Sequence, residues 1–137
     1  MMISTKGRYA LRVMIDIAEN SKNAPVSLRE VSERQEISMK YLESIIAMLN
    51  KAGYVESYRG KSGGYTLSRS PEKYNMRELL ELTEGTLAPV ACIDSGCPRS
   101  EKCTTVALWE GLDKVIGNYL DGITLQDVMS GNINKNI

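Results

Sequence analysis

Three cysteines fall within twelve residues, as Cys92-x4-Cys97-x5-Cys103, flanked by Pro89 and Pro98. Thiolates ligate iron–sulfur clusters and zinc, and a loop carrying Gly96 and Pro98 can wrap a metal centre as a helix cannot. On these residues alone four chemistries stay open: an iron–sulfur cluster, a zinc site short of one ligand, redox-active thiols, or unliganded thiols. An odd cysteine count argues against a disulfide framework. The chain has no histidine. That excludes Ser-His and Cys-His catalysis and any imidazole ligand from this chain. A second candidate site is the run Arg59-Gly60-Lys61-Ser62-Gly63-Gly64. Its glycines permit close backbone approach to a polyanion, and an arginine at such a tip fits a narrow minor groove.

The balance of charge looks unfavourable to that second site at first. The 137 residues carry 17 Lys/Arg and 17 Asp/Glu, a formal net charge of zero, whereas DNA-binding domains usually hold a basic surplus. The charge is not spread evenly. Residues 1–70 hold eleven basic against seven acidic residues, +4, and residues 71–137 hold six against ten, −4. This asymmetry hints at a polyanion-binding half joined to something else. Apolar stretches are interrupted by charge well before the roughly 20 residues a membrane span needs, so a cytoplasmic protein with no membrane partner is expected.

The elements that must position these residues follow from periodicity. Tyr9, Ala10, Val13, Met14, Ile17 and Ala18 recur at helical spacing over Thr5 to Asn20. Ser27 with Glu30 forms a capping box opening a second helix that ends near Gln35. Ser38 caps a third, with Leu42, Ile45, Ile46 and Leu49 as its inner stripe and Gly53 as its terminator. Two short helices joined by a few residues make a helix-turn-helix. The β-prone runs Tyr54 to Tyr58 and Tyr65 to Ser68 then form a hairpin around the glycine-rich tip, which is the element order of a winged helix. Asn75 caps a fourth short helix, with Glu78 completing the box. Gly85 to Lys102 reads as a structureless stretch of about 18 residues. The longest helix runs from about Thr104 to Asp121, Gly122 ends it, and Thr124 caps a last short helix.

The expected fold is mainly α with a small β-hairpin. Residues 1–84 form a winged helix-turn-helix domain and 85–103 a cysteine loop. Residues 104–131 form a long helix with a short C-terminal helix, and 132–137 a polar tail.

A helix-turn-helix presents the first turns of its second helix to the major groove. The outward residues there are Ser38, Met39, Lys40, Tyr41, Glu43 and Ser44. Ser38 and Tyr41 can donate to phosphates, and Lys40 can reach a phosphate or a guanine edge. Glu43 is suited to accept from a cytosine amine or to reject unsuitable sequences. Arg59, Gly60 and Lys61 stand at the wing tip. The competing interpretation is a solvated helix face with a Lys40–Glu43 pair and an ordinary β-turn, as in an interaction module.

The opening Met1-Met2-Ile3-Ser4-Thr5-Lys6-Gly7-Arg8-Tyr9-Ala10, the run Ser32-Glu33-Arg34-Gln35-Glu36-Ile37-Ser38, Tyr41-Leu42-Glu43, the wing Arg59 to Tyr65 and Ile123-Thr124-Leu125 carry a resemblance. They are similar to the iron–sulfur cluster regulator (IscR-like) branch of the Rrf-type winged-helix transcription regulators. The resemblance covers almost the whole chain. It implies a bacterial homodimer that binds a double-stranded operator, with Ser38, Lys40, Tyr41, Glu43, Ser44 and Arg59 in DNA-contacting positions. It also implies a [2Fe–2S] cluster on Cys92, Cys97 and Cys103, and repression of iron–sulfur cluster assembly genes. Related members hold three cysteines with a [4Fe–4S] cluster.

The chain departs from the pattern twice. The first cysteine spacing is one residue shorter, and Val106 stands where the branch has a histidine ligand. Candidates for the fourth ligand are Asp94, Glu101, Thr104, Thr105, a group of a second subunit or an exogenous molecule. In family terms the long helix dimerises, with Trp109, Leu112, Ile116 and Tyr119 facing its copy; the alternative packs it back on the first helix. Two further alternatives are a cluster-free or thiol- or nitric-oxide-sensing regulator of the same family and, in a different class, a zinc-stabilised protein-interaction module.

Overall fold

The computed structural model describes residues 1–133; of the expected tail 132–137, residues 134–137 lie outside it. Among the described residues there are seven helices and one hairpin, all but α5 in the expected order: α1 (Thr5–Asn20), α2 (Leu28–Gln35), α3 (Met39–Lys51), β1 (Val55–Tyr58), β2 (Gly64–Leu67), α4 (Met76–Glu84), α5 (Ala91–Asp94), α6 (Val106–Asp121) and α7 (Leu125–Ser130). The mainly helical winged helix-turn-helix class is what the sequence pattern called for.

Local chemistry sets most of the boundaries. Ser4, Ser27, Ser38 and Thr124 each accept a backbone N–H from the first turn of the helix they open. The Ser27/Glu30 box forms as expected, and Thr124/Asp127 makes another. The Asn75/Glu78 box does not form reciprocally. Asn75 Oδ1 accepts from the N–H groups of Arg77 and Glu78, while its Nδ2 donates at 3.0 Å to the carbonyl of Asp121. The side chain thereby joins α4 to the end of α6, a partner that no local pattern could reveal.

The core is one continuous cluster. Val13, Met14 and Ile17 of α1 meet Val31 of α2, Leu42, Ile45 and Leu49 of α3, Leu79 of α4 and Leu125 of α7, all fully buried. The hairpin pairs in antiparallel register from Val55↔Leu67 to Tyr58↔Gly64. It gains an edge from Val26, which exchanges both backbone bonds with Tyr65 at 2.9 and 2.8 Å. A Cβ at Gly64, whose φ is +155°, would lie 2.3 Å from the Val26 carbonyl oxygen, so this strand crossing requires glycine.

The base of the wing is fastened by Tyr74, which is 1% exposed. Its hydroxyl accepts from the N–H groups of Ser68 and Arg69 and donates at 2.7 Å to the Tyr54 carbonyl. The Arg69 guanidinium lies over both the Tyr54 and Tyr74 rings, at 5.1 and 4.7 Å. Replacing Tyr74 with Phe leaves these backbone groups short of a partner. It should lower unfolding free energy by about 1–3 kcal/mol, read by urea titration.

Two sequence expectations need correction. The stretch from Gly85 to Lys102 is not structureless: it contains α5 and a 3₁₀ turn at Ser100–Lys102. Single helical turns are too short to show a periodic stripe, so the pattern hid them. The long helix begins at Val106 rather than Thr104, and its apolar residues divide between two faces. Trp109 and Ile116 are half-buried and Gly117 is buried, whereas Leu108, Leu112, Val115 and Tyr119 are exposed. The inner face packs on α4, where a Cβ at Gly117 would come within 3.0 Å of the Arg77 guanidinium carbon. Arg77 bridges Glu81 and Asp121, each at 2.9 Å, and so ties α4 to α6. No helix among the described residues is long and apolar enough to cross a membrane.

Candidate DNA-reading face and thiol segment

The recognition helix is placed by its neighbours on α1 and α2. Asp16 of α1, only 2% exposed, accepts from Arg34 Nε (3.0 Å), Arg34 Nη2 (2.8 Å) and Gln35 Nε2 (2.9 Å). Arg12 in turn donates to the side-chain and backbone oxygens of Gln35. These bonds grip the last two residues of α2. The next residue, Glu36, turns the chain in the left-handed conformation at φ 56°, and Ser38 then caps α3. Arg34 is held charged beyond its ordinary range by its bond to Asp16. The anchor was missed in the sequence, although an acid inside the otherwise apolar stripe of α1 was the available signal.

On α3 the buried stripe faces the core, and Ser38, Met39, Lys40, Glu43 and Ser44 are exposed. The Ser38 oxygen accepts the Tyr41 N–H at 3.3 Å, which leaves its own O–H to donate outward. Among the described residues neither Lys40 nor Glu43 is in an ion pair, so the Lys40–Glu43 pair of the competing interpretation is not formed. Tyr41 is half-buried and meets Tyr9 of α1 edge-on, ring centroids 5.7 Å apart, with Arg12 over the other ring at 5.0 Å. Its ring is therefore partly a packing group.

In the wing, Arg59, Gly60 and Lys61 are all exposed at the tip. Gly60 takes φ +102°, and a Cβ at Gly63 would sit 2.3 Å from the Tyr58 carbonyl oxygen, so the tight tip depends on glycine. The face thus offers a capped helix N-terminus, hydroxyls, two lysines, one arginine and one carboxylate. That set is suited to phosphate and base-edge contacts.

The three cysteines lie in the segment between α4 and α6. All are free thiols, with Cys92 and Cys97 half-buried and Cys103 exposed. Among the described residues, no three Cys, Asp or Glu side chains are gathered so as to hold a metal ion. The donor chemistry still fits a cluster at three positions, because three thiols share one short segment. Val106, where the related branch has histidine, opens α6 and offers no donor. Asp94 accepts from Thr86 at 2.9 Å. Thr105 makes no capping bond to α6; its hydroxyl lies 3.2 Å from the Cys103 sulfur instead.

That hydroxyl, helped by the backbone N–H groups of Thr105 and Val106, lowers the Cys103 thiol below the usual cysteine range. In metal-free protein Cys103 should alkylate faster near neutral pH than an ordinary thiol, and Thr105→Val should remove most of the advantage, read by mass spectrometry after timed iodoacetamide quenching. A cavity of about 350 Å³ separates part of this segment from α4 and α6, walled by Leu87, Ile93 and Asp94 on one side and Arg77, Asp113 and Ile116 on the other.

With this geometry in hand, comparison with known proteins is informative. The Rrf2 family, described as an iron-dependent transcriptional regulator, matches residues 3–131. The transcriptional regulator IscR of Aliivibrio salmonicida is 38% identical over 133 residues, spanning 96% of this chain and 79% of that protein. The solved structure of T. potens IscR is 36% identical with a TM-score of 0.77, covering all of this chain and 92% of that one. CymR, the global cysteine regulator of B. subtilis, is 33% identical with a TM-score of 0.79, covering 96% and 98%. These relatives are regulators rather than enzymes. The chain belongs to the Rrf2 family of transcriptional regulators and is IscR-like.

Proposed function

We propose that this chain is a cytoplasmic, homodimeric transcription regulator, a repressor of iron–sulfur cluster assembly genes, whose operator binding responds to an iron–sulfur cluster. The observation that carries the reading is the presence on one chain of two separate features. One is an exposed capped recognition helix beside a basic glycine wing, and the other is a segment holding three free thiols between α4 and α6. Ser38, Lys40, Tyr41 and Ser44 contact the operator from α3, and Arg59, Gly60 and Lys61 contact it from the wing. Glu43 selects among bases. Cys92, Cys97 and Cys103 would hold the cluster, which supplies one-electron chemistry and lability to oxidants when bound. With no histidine available, the fourth ligand is an oxygen of this chain, a group of the second subunit or an exogenous donor, and either a [2Fe–2S] or a [4Fe–4S] cluster is compatible with three thiolates.

The outer stripe of α6, Leu108, Leu112, Val115 and Tyr119, supports dimerisation. It recurs at spacings of four, three and four residues and stays 37–62% exposed in the single chain. An isologous pairing through a twofold axis would cover it and set two α3 helices against two half-sites.

A specific observation favours a second reading, a cluster-free regulator that senses through its thiols. Cys103 is exposed, and the Thr105 hydroxyl 3.2 Å from its sulfur favours the thiolate form that reacts with oxidants. Anaerobic purification with iron and sulfide analysis separates the two readings. Charge-transfer absorption lost in the triple Cys→Ala variant supports the cluster, and colourless protein with an oxidant-sensitive Cys103 supports the alternative.

DNA contact is tested on duplexes selected by the protein from a random library. Lys40→Ala should weaken binding almost uniformly across sequences and reduce the salt slope by about one. Glu43→Ala should relax preference at one base pair, where discrimination of about 1–3 kcal/mol is lost.

A further inference from the structure

The end of α4 and the start of α1 meet across 80 residues of sequence. Glu84, the last residue of α4, turns its carboxylate onto the N-terminus of α1: one oxygen accepts the Ser4 N–H, and the other accepts the Ser4 hydroxyl at 2.8 Å. Ser4 Oγ in turn accepts the Gly7 N–H at 3.1 Å. An anion at this end of a helix is favoured by the unpaired N–H groups and the helix dipole. Gly7 permits the approach. It is buried inside α1, and a Cβ there would come within 2.7 Å of Glu84 Oε1 and 3.0 Å of Thr83 Oγ1. Glycine inside a helix is unfavourable relative to alanine, so this position gives up helix stability for closeness.

Both ends of the contact lead somewhere. On one side Glu84 is followed directly by Gly85, at φ +79°, and then by the segment that carries Cys92, Cys97 and Cys103. That segment packs on α6 through α5 and buries Leu87, and it borders the cavity shared with α4 and α6, so a change in its packing is transmitted to the end of α4. On the other side α1 carries Tyr9 two residues after Gly7, and Tyr9 meets Tyr41 in the first turn of the recognition helix.

We propose that Glu84 is a positioning residue that reports the state of the thiol segment to the DNA-reading helix. Docked on Ser4 and Gly7, it fixes the start of α1 and hence the Tyr9–Tyr41 contact behind α3. When the thiol segment repacks, it draws the end of α4 off that seat and loosens the placement of α3. Glu84 touches no DNA; it acts through α1. The inference rests on reading the thiol segment as the sensor, and it does not depend on which group the thiols hold.

The test perturbs the segment directly. Wild-type protein, Glu84→Ala and Gly7→Ala are each prepared with free thiols and with the three cysteines capped by N-ethylmaleimide. Affinity is measured for one duplex that the wild type selects from a random library. Capping should change wild-type affinity by about fivefold or more, in the range usual for coupled sites, and should change either variant by less than about twofold. Amide exchange over residues 5–9 should be faster in Glu84→Ala than in wild type before any capping. Gly7→Ala keeps the carboxylate and improves helix propensity, so it carries the test should Glu84→Ala prove unstable. Variants that respond to capping as fully as the wild type would overturn the proposal, as would a wild type whose DNA affinity ignores capping. Iron and sulfide analysis is run separately, so a protein without a cluster sinks the cluster reading and leaves this result standing.

Discussion

Arg34→Ala is expected to destabilise the protein by about 3–5 kcal/mol, the usual cost of stripping the partner from a buried charge. The asymmetry of the pair is the reason. The Asp16 side chain is 1% exposed, whereas the Arg34 side chain is 38% exposed. Removing the arginine leaves a carboxylate inside the core with Gln35 as its one remaining side-chain donor among the described residues. Removing Asp16 instead frees a guanidinium that can reach water, so Asp16→Ala should cost less than Arg34→Ala. Arg34→Lys should fall between wild type and Arg34→Ala, because an ammonium cannot reproduce the planar fork that spans both carboxylate oxygens. Urea unfolding of the three variants checks the order. DNA affinity adds a second readout: Arg34 and Gln35 end α2 immediately before the turn into α3, so Arg34→Lys should lose binding beyond what its stability loss explains.

The second large effect is expected at the outer face of α6. Leu112→Glu combined with Val115→Glu places two carboxylates on a stripe that is apolar over three turns. In the single chain these positions are already 41% and 57% exposed, so the monomer fold should tolerate the change. Two copies brought together there would face buried, unpaired charges. The variant should sediment as a monomer. Its affinity for a two-half-site duplex should fall by about 10²–10⁴, the advantage that linking two binding events normally confers, while affinity for a single half-site changes little. Sedimentation velocity and fluorescence anisotropy read the two outcomes. A dimer that persists would place the twofold contact elsewhere.

The winged helix was legible because its signals are local. Ser27, Ser38 and Thr124 announce helix starts through bonds reaching only three residues, and the buried stripe of α3 is a matter of spacing. The glycine run between two β-prone segments marks the wing for the same reason. The candidate reading face was equally accessible, since exposure on α3 is simply the complement of its apolar stripe. Other features escaped because they depend on partners far along the chain. Tyr41 reads as an outward donor until Tyr9 is placed against it. Asn75 reads as half of a capping box until Asp121 is brought beside it. Trp109 and Ile116 look equivalent to Leu112 and Tyr119 on a helical projection; only the tertiary structure leaves the first two half-buried and the others exposed.

By itself the sequence determined the class of fold, the order of its elements, the basic and acidic halves behind a zero net charge, and the three thiols without a histidine. Each of these is a property of composition or of contacts within one turn of helix or hairpin. The tertiary structure alone decided that Asp16 is a buried anchor for the helix-turn-helix, that the thiol segment packs on α6 through α5, and that Glu84 sits on the start of α1. Those facts follow from burial and from contacts between residues up to 80 positions apart, which no period in the chain encodes.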